Sequence, residues 1–150
     1  MKKTGKAKQA GRREEAVFVD MVRTVDLLSR RLAPVLKPED ISPTQYNVLR
    51  ILRGSPDGLP CGEIGARMIT RDPDITRLLD RMEKRGLISR SRDKEDRRTV
   101  LTRITAEGMT VLGRLDGPVL EAHRQQLGHL GEKRLNELSE LLAACRSRLD

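Results

Sequence analysis

The sequence predicts a mainly α-helical chain with one small β-hairpin, and three observations predict it. Apolar residues recur at 3.6-residue spacing through most of the 150 residues. Capping and stopping residues punctuate those stretches at the places where helices begin and end. Only one pair of short β-branched runs, separated by a charged turn, departs from the helical period.

The elements follow in order. Residues 1–13 are rich in Lys, Arg, Gln and Gly and hold no large apolar side chain after Met1, so they read as a disordered basic tail. From Glu14 the pattern changes: Val17, Phe18, Met21, Val22, Val25, Leu28 and Leu32 mark one helix face that should end before Pro34. Ser42, Pro43 and Gln45 form a capping-box start for a second helix, whose stripe is Val48, Leu49, Ile51 and Leu52. Gly54-Ser55-Pro56-Asp57-Gly58 stops it. A short third helix after Pro60 places Cys61, Ile64, Gly65 and Met68 together, which favours core packing over redox sensing for that cysteine.

The fourth helix is the best specified. Asp72 is expected as its N-cap, Pro73 in its first turn and Gly86 as its stop. Ile75, Leu78, Leu79 and Met82 form the face to be buried, and Asp74, Thr76, Arg77, Asp80, Arg81, Lys84 and Arg85 form the other. Leu87–Arg92 and Thr99–Ile104 then predict a two-stranded hairpin around a turn in which every residue from Arg92 to Arg98 is charged. Thr105 caps a long helix with Leu112, Leu115, Val119 and Ala122 inward, bent at Gly117-Pro118. A last helix from Glu132 sets Leu135, Leu138, Leu142, Cys145 and Leu149 in a heptad seam that requires another helix against it, so these are the expected dimerisation residues.

Charge narrows the function. The net charge of +8 is not spread evenly: residues 1–13 carry +6 and residues 70–104 carry +4, on an otherwise near-neutral scaffold. Such localisation is the footprint of an anionic partner, nucleic acid first. Phe18 and Tyr46 are the only aromatics, so stacking platforms for single strands are absent and the expected nucleic acid is duplex. The longest apolar run, Leu141 to Cys145, is far short of a membrane span, and the basic start has no apolar core of a secretory signal behind it. Two cysteines make neither a disulfide framework nor a zinc pattern. The expectation is a cytoplasmic, reduced protein without a cofactor. No Ser/His/Asp order, glycine-rich phosphate loop or carboxylate pair marks an enzyme.

Helices followed by a hairpin, all before residue 105, is the order of a winged helix-turn-helix. One helix with an apolar face and an Arg/Thr/Asp face suits the major groove, where Arg reads guanine, and a narrow basic hairpin tip suits an adjacent minor groove. The segments Ser42-Pro43-Thr44-Gln45-Tyr46-Asn47-Val48-Leu49, Arg71-Asp72-Pro73-Asp74-Ile75-Thr76-Arg77-Leu78-Leu79-Asp80-Arg81 and Asp96-Arg97-Arg98, followed by Ile104-Thr105 and Gly108, together resemble the MarR family of transcriptional regulators. The resemblance covers residues 14–149. It implies a homodimer with a winged-helix core at 43–105, flanked by dimerisation helices at 14–36 and 106–150, that binds a pseudo-palindromic operator and is often a repressor released by a small ligand.

Carried over by position, residues 72–85 look like the recognition helix, with Thr76 and Arg77 reading bases, Arg71 and Arg81 at the groove edges, and Thr70 and Asp74 beside them. Arg92, Lys94, Arg97 and Arg98 look like the DNA-contacting wing, Arg98 entering the minor groove, and Asp96 looks like the acid that orients the wing by pairing with arginine. An effector, if one exists, is expected between the winged lobe and the dimer helices, near the first helix and the start of the fifth, and would be a small amphipathic aromatic molecule. The cysteine-with-tyrosines pattern of the family's peroxide sensors is not matched. Nor is a metal site expected, because His123 and His129, six residues apart on a helix, would lie about 120° apart. The alternative is a winged-helix protein-interaction adaptor without specific DNA readout. The character of the exposed recognition face separates the two: charged for DNA, apolar for an adaptor.

Overall fold

The computed structural model describes residues 3–149, with side chains from residue 11 onward. Six helices and three strands run in the order α1 (Lys3–Leu36), α2 (Pro43–Arg53), β1 (Leu59–Pro60), α3 (Cys61–Arg67), α4 (Ile75–Lys84), β2 (Ile88–Arg92), β3 (Val100–Ile104), α5 (Ala106–Leu127) and α6 (Gly131–Arg146). Short 3₁₀ turns at Lys37–Glu39 and Gly128–Leu130 join α1 to α2 and α5 to α6. Among the described residues, no helix is long and apolar enough to cross a membrane.

Helix α1 corrects two expectations. It begins at Lys3, so residues 3–13 are helical where a disordered tail is expected, and residues 1–2 lie outside the described residues. The expectation weighed only the lack of apolar side chains. Lys, Ala, Gln and Arg are good helix formers, and they dominate this stretch despite Gly5 and Gly11. At the other end the helix runs through Pro34 to Leu36. Near a terminus a proline forfeits a single backbone hydrogen bond, and Leu36, completely buried, anchors that last turn in the core.

Helix α2 starts as its sequence dictates. The Ser42 Oγ accepts from the Gln45 N–H (3.2 Å), and the Gln45 Oε1 accepts from the Ser42 N–H (3.0 Å). Val48, Leu49 and Leu52 are fully buried and form the centre of the core with Leu36, Ile64, Leu79, Met82 and Leu112. Cys61 is half-buried against that core, and both it and Cys145 are free thiols.

The N-cap of α4 is Asp74, not Asp72. The Asp74 Oδ1 accepts from the Arg77 N–H (3.2 Å), while the Asp72 Oδ1 accepts from the Asp74 N–H (2.8 Å) and shapes the turn before the helix. Two acids in tandem compete for one cap, and the later one wins because Pro73 and Asp74 lie in the turn. The stop comes where expected: Gly86 takes φ +72°, and its N–H bonds to the Glu83 carbonyl.

The hairpin gains a strand. Strand β1 pairs antiparallel with β3 (Leu59 opposite Thr102), giving the order β1-β3-β2, while β2 and β3 pair from Ile88–Ile104 to Arg92–Val100. A two-residue strand containing a proline has no periodic signature, which is why two strands are expected and three found. Thr105 then ties the sheet to α5: its Oγ1 accepts from the Gly108 N–H (3.0 Å) and donates to the Gly86 carbonyl (2.6 Å). Helix α5 is continuous through Pro118. Helix α6 ends at Arg146, so Leu149 lies beyond it and drops out of the heptad seam as a helical position.

Candidate nucleic-acid interface

The inward face of α4 is Leu78, Leu79 and Met82, all buried, with Ile75 packed partly against them. That leaves Thr76, Arg77 and Arg81 exposed on the helix and Thr70, Arg71 and Asp74 exposed before it. At the N-terminus, the Arg77 Nε lies 3.2 Å from the Asp74 Oδ2, an exposed pair that holds the guanidinium close to the helix start. Lys84 and Arg81 occupy the last turn, where the helix dipole favours cations.

The hairpin tip is closed by backbone bonds from the Asp93 N–H to the Thr99 carbonyl and from the Thr99 N–H to the Asp96 carbonyl, each 2.9 Å. Inside it, the Arg92 Nη1 donates to the Arg97 carbonyl (2.7 Å). Asp96 does organise the turn, but not by pairing with an arginine side chain as its resemblance implied. Its Oδ1 accepts from the Arg98 N–H (3.0 Å) and its Oδ2 from the Thr99 hydroxyl (2.9 Å). The close donors are the two that follow it in the turn, and a short side chain reaches its own turn more readily than a mobile guanidinium. Arg98 is therefore held by its backbone with its side chain projecting freely. Among the described residues, no side-chain hydrogen bond or ion pair engages Arg71, Arg81, Lys94, Arg97 or Arg98, so five exposed cations remain available to an anion.

Helix face and hairpin are joined by a residue that sequence reasoning missed. The Nη2 of Arg90, in the middle of β2, donates to the Asp80 Oδ1 (2.6 Å) and the Glu83 Oε1 (2.9 Å) on α4. Arg90 is one of many arginines in a basic segment, and only the antiparallel register places its side chain toward α4. The two carboxylates hold its guanidinium even more firmly protonated than usual, Glu83 contributing most. In return, the hydrogen bond from Arg90 pulls the Glu83 carboxyl below its ordinary range. Two further clamps were missed. The Asn47 Oδ1 on α2 accepts from the Ile69 N–H (2.8 Å) and fixes the loop into α4. Arg85, just after α4, donates to the Glu39 carbonyl (3.1 Å) and the Asp40 carbonyl before α2. Asn47 falls inside the motif quoted above, so only its role, not its position, was hidden.

The expected dimerisation residues are left open within one chain. No residue of α6 is buried: Leu135 is half-buried, and Leu138, Leu142 and Cys145 are exposed. On α1, Val17, Phe18, Val22 and Val25 are exposed as well, and only its C-terminal half reaches the core. His123 and His129 are both exposed, His129 in the 3₁₀ turn beyond α5, and no His/Cys/Asp/Glu group among the described residues is arranged to hold a metal.

A cavity of about 920 Å³ opens between the end of α1, the start of α2 and the end of α4. Ala33, Pro34 and Ile41 supply apolar wall, and Arg30, Arg81 and Arg85 are cations at its edge. It lies on the α4 side of the junction, and a smaller groove of about 400 Å³ lies beside the middle of α5, from Arg114 to Gln125, rather than at its start where an effector is expected.

Comparison with known proteins places this geometry among relatives. The MarR family model matches residues 41–100. A MarR transcription factor of known structure from Planctomyces limnophilus is 36% identical, over 87% of this chain and 95% of that one, with a TM-score of 0.67. The homoprotocatechuate degradative operon repressor of Escherichia coli is 29% identical over 125 residues, 79% of this chain and 84% of that protein. The structure of the transcriptional repressor CouR bound to a 23-mer DNA duplex is 28% identical, covering 87% of this chain and 89% of that one, with a TM-score of 0.70.

Proposed function

The chain belongs to the MarR family of transcriptional regulators, and from that premise we propose that it binds a pseudo-palindromic duplex operator as a homodimer and acts as a ligand-responsive repressor in the cytoplasm. The observation that carries the proposal is the Arg90 clamp, which makes α4 and the hairpin one unit with two exposed cationic surfaces. In this reading α4 lies in the major groove, with Thr76 and Arg77 at base edges and Arg71 and Arg81 on flanking phosphates. The wing places Arg98 in the neighbouring minor groove, and Arg92, Lys94 and Arg97 track its backbone. An adaptor would need an apolar docking face, and the exposed positions of α4 are cationic and polar instead.

Dimerisation explains why α6 buries nothing in the single chain. Leu135, Leu138, Leu142 and Cys145 supply its seam, and the exposed valines and Phe18 of α1 extend the apolar surface that a second copy would cover. The effector is proposed as a small amphipathic aromatic acid in the cavity bounded by α1, α2 and α4. Its wall includes Arg81, so an occupant there shares a residue with the DNA-facing helix.

Selection from a randomised duplex pool, followed by footprinting, tests the reading. The expected result is protection of two inverted half-sites about one helical turn, roughly 10 bp, apart centre to centre. A monomer in solution protecting one isolated half-site, or a pool that yields no sequence, would overturn it.

A further inference from the structure

The loop leading into α4 carries a feature that a purely cationic interface does not use. Ile69 is a large aliphatic residue with 86% of its surface exposed, the highest value among the exposed large hydrophobic residues. A single exposed apolar side chain is ordinary on a protein surface. What sets this one apart is how the chain holds it out. Met68, immediately before it, is buried in the core in an extended conformation (φ −64°, ψ 140°), and its N–H bonds to the Ile64 carbonyl at 3.1 Å. With Met68 seated inward, Ile69 is directed outward, and its own N–H is then fixed by the Asn47 Oδ1 at 2.8 Å. The exposure is built by two anchors rather than left by a slack loop.

The surroundings identify the partner. Thr70 and Arg71 follow directly, both exposed, and the exposed Arg77 lies in the first turn of α4. This is the cationic surface placed against DNA above, and an apolar group there has one apolar counterpart in the major groove, the C5-methyl of thymine. We propose that Ile69 is a specificity-determining residue that packs on a thymine methyl beside the start of α4. The proposal rests on the placement of α4 in the major groove, and it adds a thymine preference that none of the arginines would produce.

Methyl deletion on the DNA tests it directly. A duplex selected by the full chain from a randomised pool is resynthesised with deoxyuridine in place of thymine, one symmetric pair of positions at a time. Each is titrated with the wild-type chain, Ile69→Ala and Ile69→Val. Removing the responsible methyl should weaken wild-type binding about fourfold per half-site, the factor expected from burying one methyl-sized group, and about fifteenfold for both half-sites. Ile69→Ala should bind the thymine and deoxyuridine duplexes equally, and Ile69→Val should retain part of the discrimination. Because the side chain is exposed, both variants should melt at the wild-type temperature. Wild-type binding that is specific but indifferent to every deoxyuridine substitution overturns the proposal and leaves the operator reading intact. A deoxyuridine effect of equal size in Ile69→Ala overturns it too, since another residue would then read the methyl. A pool that yields no selected duplex removes the operator reading and the proposal together.

Discussion

Arg90→Ala is the substitution that separates the stability of the fold from the geometry of its DNA surface. The wild-type guanidinium bonds Asp80 at 2.6 Å and Glu83 at 2.9 Å, with about a quarter of its side chain exposed. Exposed ion pairs contribute about 0.2–1 kcal/mol and hydrogen bonds to charged groups about 1.5–3 kcal/mol, and the half-exposed carboxylates place this clamp toward the lower part of that span. Truncation also leaves Asp80 and Glu83, three residues apart on one helix, facing each other without a cation, which adds a few tenths of a kcal/mol of repulsion. A loss of about 1–2 kcal/mol follows, read by urea denaturation at fixed protein concentration so that any dimer equilibrium is held constant. The pH dependence gives the sign. Glu83 titrates below its ordinary range in the folded chain because of Arg90. Its contribution is therefore complete above the pKa of the unfolded chain and disappears as the pH falls through the lowered folded value. The gap between wild type and Arg90→Ala should be constant near neutrality and close in acid, and Glu83→Gln should remove most of that closure. A gap that persists unchanged at acid pH, or no gap at pH 7, would show that the clamp is a surface ornament and that α4 is held to the sheet by its apolar face alone.

Gly108→Ala should be costly: a Cβ there would sit 2.2 Å from the Leu87 carbonyl oxygen and 2.8 Å from the Ile104 Cγ1, so α5 must move off the backbone before β2 and the end of β3, at a cost of about 1–3 kcal/mol in a thermal melt. Gly113→Ala in the same helix meets nothing within 4 Å and should instead be neutral or stabilising by up to about 1 kcal/mol. Ser42→Ala removes the capping box of α2 and should cost about 1 kcal/mol in denaturant. On a selected operator, Arg77→Ala should weaken binding by about 1–3 kcal/mol and relax preference at one base pair, whereas equal weakening on all sequences would make Arg77 a phosphate clamp. Deleting residues 1–13, with their net charge of +6, should flatten the salt dependence on specific and nonspecific duplexes alike, while Arg98→Ala should shift the slope by about one unit and abolish the preference for flanking A·T sequence.

Local rules carried most of the fold. The capping box at Ser42, the stop at Gly86 and the cap at Thr105 are contacts within a few residues, and each stands where the sequence puts it. The misses have two sources. Some arise where local signals compete: Asp72 and Asp74 both suit an N-cap, and Pro34 signals a helix end one turn before tertiary packing of Leu36 imposes it. Others depend on pairing between distant segments. Strand β1 exists only because β3 lies beside it, 40 residues on, and the Arg90 clamp exists only because the β2–β3 register and the packing of α4 bring strand and helix together. The same division runs through the site. That Arg77, Arg81, Arg97 and Arg98 are exposed follows from periodicity and turn composition, whereas Asn47, Arg85 and Arg90, which position those exposed cations, become visible only in three dimensions.

The positioning residues share a pattern that bears on regulation. Asn47 grips the loop before α4, Arg90 grips its middle, and Arg85 grips the turn between α1 and α2 from its far end. Helix α4 is thus tied at three points to three different elements, and the third tie, Arg85, lines the cavity bounded by α1, α2 and α4. A carboxylate entering that cavity would find Arg81, Lys84 and Arg85 as cations on and beside α4, and Arg85 could serve it only by loosening its hold on the Glu39 and Asp40 carbonyls. A coupling of about 1–3 kcal/mol between ligand and operator is within reach of exchanging one such charged contact. Arg85→Met should therefore weaken specific DNA binding about as much as a saturating acidic ligand does, and leave no further effect of that ligand, measured by titrating operator with and without a panel of aromatic carboxylates. Retention of the full ligand effect in Arg85→Met would move the coupling to another wall of the cavity.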